Sequence, residues 1–451
     1  MAAAVIAAPK EDLMGKMPLT TDFDSPTYSG YLSASETKKL HYVFTESLDS
    51  PSTDPILIWF NGGPGCSSML GFIQENGPRV INDGEDYLWE NKDTWNTRAN
   101  VLWLESPAGV GWSTGTKEDQ TTDDLQQSID ALAALQDWYT KFPEFKSNDL
   151  FISGESYAGI YVPYLAYQID LNNRKSDYSQ QFEAINLKGY MVGNGCTDWK
   201  FDSTADTATY ANFNIIPQSW WNQYTELNCY SGPVELWTKP KSCIPLQAKI
   251  EAKVTKLNWY DLYRPLLKFK LGEEDRMGET IIDGEVKTYK RGMTMQEYTP
   301  WAGFLETNEP SIRLNDFVTD YMNLPETREA FNIPSDVPAW QQCSNIDYTI
   351  GAESSRWIYP LLKDRYRMMF YSGDTDAAVA TYGSKQWIND LGWKVVDEWR
   401  TWETNGQVSG FTEKRDGLDF YTVKGVGHMA PQWKRGPVNN MIMSWIHGTP
   451  L

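Results

Sequence analysis

Residues 149–171 narrow the possible folds more than any other stretch. An apolar segment, Asp149-Leu150-Phe151-Ile152, leads into Ser153-Gly154-Glu155-Ser156-Tyr157-Ala158-Gly159, and a helix-compatible run, 160–171, follows. A strand that turns through a few small residues into a helix is a building unit of layered α/β folds. The pattern is Gly-x-Ser-x-Gly with the second glycine one residue late, at Gly159. Small residues on both sides of Ser156 let the backbone bend tightly. The bend lifts a hydroxyl above the sheet edge and onto a helix N-terminus, where developing negative charge is stabilised. The motif implies a hydrolase that works by covalent catalysis, with Ser156 as nucleophile. Without further context the same residues make a glycine-rich turn with a capping serine.

The rest of the chain supplies that context. Tyr28-Ser-Gly-Tyr-Leu and Lys39-Leu-His-Tyr-Val-Phe-Thr alternate like a hairpin around the polar turn Ser35-Glu36-Thr37. Short β-like runs follow at 56–60, 100–104, 150–153 and 187–192. A helix is expected over 123–139, where Leu125, Ile129, Leu132, Leu135 and Tyr139 recur at three- and four-residue steps. Strands alternating with helices predict a mostly parallel sheet covered on both faces. After Gly195 the rhythm breaks. The stretch 197–365 reads as irregular and rich in Trp, Tyr, Pro and charge; Gly272-Glu-Glu-Asp-Arg-Met-Gly-Glu and Lys290-Arg291 suit an exposed, nickable loop. The β rhythm resumes at 367–372 and 419–423, and a last helix is expected at 437–445. The expected organisation is one α/β core in two parts, 1–196 and 366–451, interrupted by an insertion or cap, 197–365. Residues 1–18 read as a leader remnant, with Met-Ala-Ala-Ala-Val-Ile-Ala-Ala resembling a signal-peptide tail. A truncated or engineered start is the alternative.

Acidic residues outnumber basic ones 60 to 40 in this 451-residue chain, for a formal charge of −20. That balance argues against nucleic acid and anionic membrane surfaces as partners. No apolar run reaches transmembrane length. Of the five cysteines, Cys66, Cys196, Cys229, Cys243 and Cys343, none forms Cys-x-x-Cys, and the odd count leaves at least one unpaired. No Asn-x-Ser/Thr sequon is present.

A serine nucleophile needs a base, and the chain has three His. His41 falls in the expected hairpin and reads as a strand-face residue. His447 falls at the end of the last helix, where a cation suits the dipole. His428 follows Val423-Lys-Gly-Val-Gly, a glycine-flanked loop after a strand, and is the expected base. The orienting carboxylate is expected in Gly373-Asp374-Thr375-Asp376, after the strand at 367–372, and either Asp could serve. The order Ser, Asp, His is that of α/β-hydrolases. An oxyanion hole is expected from Asn61-Gly62-Gly63-Pro64-Gly65, after the strand at 56–60, together with the N–H of Tyr157.

Trp59-Phe-Asn-Gly-Gly-Pro-Gly-Cys-Ser-Ser68, Asn100-Val-Leu-Trp-Leu-Glu-Ser-Pro-Ala-Gly-Val-Gly-Trp-Ser113, Gly154-Glu-Ser-Tyr-Ala-Gly159, Gly193-Asn-Gly195, Ser372-Gly-Asp-Thr-Asp376 and Gly427-His-Met429 resemble the serine carboxypeptidases, from about residue 20 to the C-terminus and in the family's order. The resemblance implies an α/β-hydrolase fold and removal of C-terminal residues from peptides and proteins at acidic pH, with no metal or cofactor. It implies Ser156 as nucleophile, His428 as base and Asp376, rather than Asp374, as orienter. Gly63 and Tyr157 match the oxyanion donors. Asn61, Gly62, Glu75 and Glu155 match the group that holds the substrate's terminal carboxylate, and Met429 matches a residue beside the leaving amino acid. Disulfides Cys66–Cys343 and Cys229–Cys243 are likewise implied, leaving Cys196 free. Cys196 and the missing sequons depart from the family pattern. A secretory compartment is expected, lysosomal, vacuolar or extracellular, with a homodimer as one possible state.

Two acids beside a bound carboxylate would repel it if both were ionised. Close carboxyls do not both ionise readily, so one pKa rises and the protonated acid donates to the substrate. The alternatives on this scaffold are an acyltransferase or hydroxynitrile lyase, and, from another class, a protective protein that scaffolds a partner hydrolase. Glu rather than Asp before Ser156 favours the peptidase.

Overall fold

Nearly every side chain of the central strands is buried, which requires a sheet covered on both faces. The computed structural model, which describes residues 8–82, 87–174, 183–229, 240–264, 277–282, 285–290 and 317–451, has such a sheet. Its ten strands are β1 Thr27–Ser33, β2 Lys39–Thr45, β3 Ile56–Phe60, β4 Asn100–Leu104, β5 Leu150–Glu155, β6 Leu187–Gly193, β7 Arg367–Gly373, β8 Val395–Thr404, β9 Gln407–Arg415 and β10 Leu418–Val423. In space they run β1-β2-β4-β3-β5-β6-β7-β10-β9-β8. The six from β4 to β10 are mutually parallel. Antiparallel hairpins close both edges. The expected α/β-hydrolase fold, with its mostly parallel central sheet, is borne out.

The period of two along each strand divides the core. Ile56, Ile58 and Phe60 of β3 enter one layer with α1 (Asp124–Lys141) and α2 (Ala158–Arg174). Leu57 and Trp59 enter the other, with α4 (Arg435–Ile446), reached after α3 (Thr381–Asp390). Helix α1 lies where periodicity placed it, and Asp123 caps it by accepting from Gln126 N. Leu132, Leu135 and Tyr139 are buried as expected, but the rest of the face differs. Leu125 and Ile129 are 52% and 40% exposed, whereas Gln127, Ser128, Ala131, Ala134 and Trp138 are buried. The small residues let α1 approach its neighbours closely, and Gln127 donates to Ser106 Oγ at 3.0 Å. Apolar periodicity does not register the Gln, Ser and Ala positions of that face.

The stretch expected to be irregular contains helices: Trp199–Asp202, Ala205–Asn212, Gln218–Glu226, Ile244–Val254, Phe317–Met322, Pro325–Ala330 and Ile358–Leu362. All but Ile244–Val254 are too short to impose a clear period on the sequence. Tyr210, Ile216, Tyr224, Leu246 and Ile250 form a small cluster of their own, joined by Ala377 of the core. Phe331 and Trp340 instead belong to the sheet's second layer. Leader-like residues 1–7 lie outside the described residues, as do most of the expected nickable loop; Lys290 ends a hairpin of Met277–Ile282 with Glu285–Lys290.

Candidate active site

The site is built where parallel strands end. Ser156 follows β5, Asp376 follows β7 and His428 follows β10, all at the C-terminal edge of the sheet. Ser156 occupies the left-handed region, φ 64°, which a non-glycine residue adopts only under constraint. The surroundings supply it. Ser156 N donates to Gly193 O at 3.2 Å, and Ser156 O accepts from Gly159 N at 2.9 Å and Cys196 N at 3.0 Å. The late glycine has a reason in this packing: a Cβ on Gly159 would fall 2.2 Å from Cys196 O.

Asp376 is fully buried, and its carboxylate collects four donors. Ala378 N lies at 2.7 Å, Val379 N at 3.2 Å, Asn194 Nδ2 at 2.9 Å and His428 Nδ1 at 2.7 Å. An acceptor at Nδ1 keeps that nitrogen protonated and leaves Nε2 able to take a proton. Nε2 is buried with no hydrogen-bond partner among the described residues. Asp374 turns elsewhere and accepts from Gly425 N at 2.7 Å. Sequence reasoning quoted Asn194 without giving it a task. Its amide bonds Asp376 and, through Oδ1, accepts from Gly373 N at 3.0 Å, so it braces the acid from β6.

Facing the elbow is the loop after β3. Among the described residues, the N–H groups of Gly63 and Tyr157 have no partner. Gly62 touches the elbow so closely that a Cβ would lie 2.3 Å from Tyr157 N. Asn61 has a single possible orientation, because Trp59 Nε1 and Gly71 N both donate to its Oδ1 at 2.8 Å. Its amino group is thereby aimed at Glu75 Oε1, 2.8 Å, and Glu155 Oε1, 3.2 Å.

Both acids are buried, at 2% and 3% exposure. Burial raises both pKa values; for Glu155 the nearby Glu75 charge raises it further, while for Glu75 the Asn61 bond works the other way. The charge of one acid opposes ionisation of the other, so the pair does not readily lose both protons. Arg435, which carries no sequence signal, fixes the backbone beneath Glu75: it donates to Gln74 O at 2.8 Å and to Glu75 O at 3.3 Å.

Cys66 and Cys343 are joined beside the oxyanion loop, where Ser67 N donates to Gln342 O and Ser344 N to Gly65 O, each at 2.8 Å. Cys229 and Cys243 are joined within the small cluster of short helices, and Cys196 is free. Met429, half-buried, caps the helix Ala430–Trp433 that follows His428. The other histidines stand apart. His41 is wholly buried between Glu105 Oε2, 2.9 Å, and Ser29 Oγ, 2.8 Å; His447 contacts Arg98 O at 2.9 Å.

A serine carboxypeptidase family model matches residues 18–448. The chain is 33% identical to serine carboxypeptidase-like 20 of Arabidopsis thaliana, with 99% of this chain and 95% of the relative covered. It is 31% identical to the lysosomal protective protein of Mus musculus, with 98% and 95% covered. Among solved structures it superposes on Kex1(delta)p, a prohormone-processing carboxypeptidase from Saccharomyces cerevisiae, with a TM-score of 0.71. That match covers 98% of this chain and 95% of the other at 20% identity, a likeness of fold. Matched along almost its whole length by the family model and by relatives of similar extent, the chain belongs to the serine carboxypeptidase family.

Proposed function

We propose that this serine carboxypeptidase cleaves the last peptide bond of its substrates through an acyl-enzyme on Ser156, at acidic pH. Ser156 Oγ gives its proton to His428 Nε2 and bonds to the scissile carbonyl carbon. The carbonyl oxygen becomes an oxyanion held by Gly63 N–H and Tyr157 N–H. The His428 proton passes to the departing amine, the C–N bond breaks, and water repeats the sequence on the ester. Asp376 holds the imidazole orientation and stabilises the imidazolium.

The observation that carries the exopeptidase reading is the buried pair Glu75–Glu155 beneath the oriented Asn61 amide. Asn61 Nδ2, Gly62 N–H and one protonated carboxyl make a donor set for a terminal carboxylate. As pH rises the pair loses its shared proton and the pocket becomes anionic, so binding of free-acid substrates weakens. Met429 borders the leaving residue. The part of the chain between β6 and β7 supplies the cap, so that the core comprises 1–196 and 366–451. Disulfides and an acid optimum suit the secretory pathway and a lysosomal or vacuolar compartment.

Steady-state kinetics on matched free-acid and C-terminally amidated peptides, from about pH 4 to 8, test the reading. KM for the acids should climb toward neutral pH while KM for the amides stays flat. Glu155→Gln should flatten the acid series. The same pH dependence of KM for both substrates would refute the shared-proton pocket.

A further inference from the structure

After the helix Ile244–Val254, the segment 258–264 runs between the turns that carry Asp376 and His428. Its backbone bonds both. Ala377 N donates to Trp259 O at 2.9 Å, His428 N to Tyr260 O at 2.7 Å, and Leu262 N to Thr375 O at 3.0 Å. One side chain repeats the pattern. Asp261 Oδ1 accepts from Thr375 Oγ1 at 2.8 Å, and Asp261 Oδ2 accepts from Gly427 N at 3.0 Å. Oδ1 also accepts from Tyr263 N at 3.0 Å, and Arg264 Nε stands 3.9 Å from Oδ2. Asp261 is 3% exposed and Thr375 2%. The fit is close: a Cβ on Gly427 would lie 1.9 Å from Tyr260 O and 2.6 Å from Asp261 Cβ.

The geometry points to Asp261 as a positioning residue of the hydrolysis: its carboxylate bonds the residue before Asp376 and the residue before His428, and so sets acid against base. The inference rests on the reading of Asp376 and His428 as orienter and base. A carboxylate suits the task because its two oxygens accept from both turns at once. Burial excludes water that would otherwise replace either bond, and charge-assisted bonds are the stronger kind. The catalytic turns leave adjacent strands, β7 and β10, and each carries flanking glycines, Gly373 and Gly425–Gly427. Glycine-flanked turns have many accessible conformations, and bonds from a third segment select one. The part of the chain outside the sheet thus takes part in aligning the triad as well as covering it.

The test uses the full-length protein, a blocked dipeptide with a free C-terminus, and active sites counted with a fluorophosphonate. Asp261→Ala should lower kcat per titrated site about 10- to 100-fold, the range that a displacement near 1 Å produces, with KM little changed. The KM expectation follows because Asn61 and Gly62 are held after β3, Glu155 at the end of β5 and Glu75 by Arg435, none of them through Asp261. Asp261→Asn should recover part of the loss, since its amide oxygen keeps the Gly427 bond while its amino group donates to Thr375 Oγ1. A normal kcat per titrated site in Asp261→Ala, even with lowered stability, would overturn the assignment. If Asp261→Ala does not fold, Thr375→Val removes one arm alone; a reduced kcat per site supports the clasp, and an unchanged one overturns it. Ser156→Ala and Asp376→Asn, run in parallel, test the underlying triad separately. Full turnover in those variants sinks the triad reading itself.

Discussion

Asp374 and Asp376 are two residues apart and chemically identical, yet their environments give them different work. Asp376 sits against His428 Nδ1 and is braced by Asn194, whereas Asp374 holds the backbone of Gly425. Asp376→Asn would present an amide to His428, and the imidazole would then favour the wrong tautomer. That change should lower kcat by about 10⁴, as in the protease triad. Asp374→Asn keeps an oxygen for Gly425 N and should change kcat far less. Steady-state rates of the two variants rank them, and the reverse ranking would contradict the assignment. Asn194→Ala should fall between, because Asp376 keeps His428, Ala378 and Val379 but loses its brace.

At the scale of elements, the oxyanion loop is held from behind by segments distant in the chain. Cys66 and Cys343 are 277 residues apart in sequence. Next to them Glu105, wholly buried, accepts from Ser67 Oγ, from Trp340 Nε1 at 3.0 Å, from Trp112 N at 2.8 Å and from His41 Nδ1 at 2.9 Å. One carboxylate therefore joins β2, the loop after β4, the oxyanion loop and the strap that carries Cys343. Replacing Cys66 and Cys343 by Ser should lower stability by about 2–5 kcal/mol, the usual range for a native disulfide. Because Gly62 and Gly63 lose a tether, kcat/KM should fall as well. Urea denaturation and kinetics of the double variant measure the two effects. A stability loss with unaltered kcat/KM would mean that the Glu105 cluster alone holds the loop.

For the whole molecule, charge and buried acids point the same way. Burial raises the pKa of Glu75 and Glu155, and pushes Asp202 up to about 7; Asp93, Asp374 and Glu46 are also raised by burial. A carboxyl with a raised folded-state pKa binds more protons in the native than in the unfolded state between the two values. Stability therefore falls as pH rises through that window, from the ordinary carboxyl range to about 7. Repulsion within a chain of formal charge −20 at pH 7 adds to the trend. The melting temperature should be higher near pH 5 than near pH 8, and Glu75→Gln with Glu155→Gln should reduce the difference. Scanning calorimetry across that range decides; a melting temperature that rises with pH would contradict the account.

The sequence by itself determined the alternation of strands and helices, the elbow at Ser156 and the glycine-rich loop at 62–65, because these depend on local period and on backbone sterics. It also singled out His428 by its loop, since three histidines left few alternatives. Tertiary structure alone decided what depends on partners far along the chain. The face that α1 buries includes the expected Leu132, Leu135 and Tyr139, but it is completed by Gln127, Ser128, Ala131 and Ala134, which carry no apolar period. The hairpin β8–β9 escaped notice because an exposed edge strand is largely polar. Asp261 and Arg435 have no local signature at all, and the motif around Asn194 does not say what its side chain does. Each acts through hydrogen bonds to residues well over a hundred positions away, and a hydrogen bond between distant residues exists only once folding has brought donor and acceptor together.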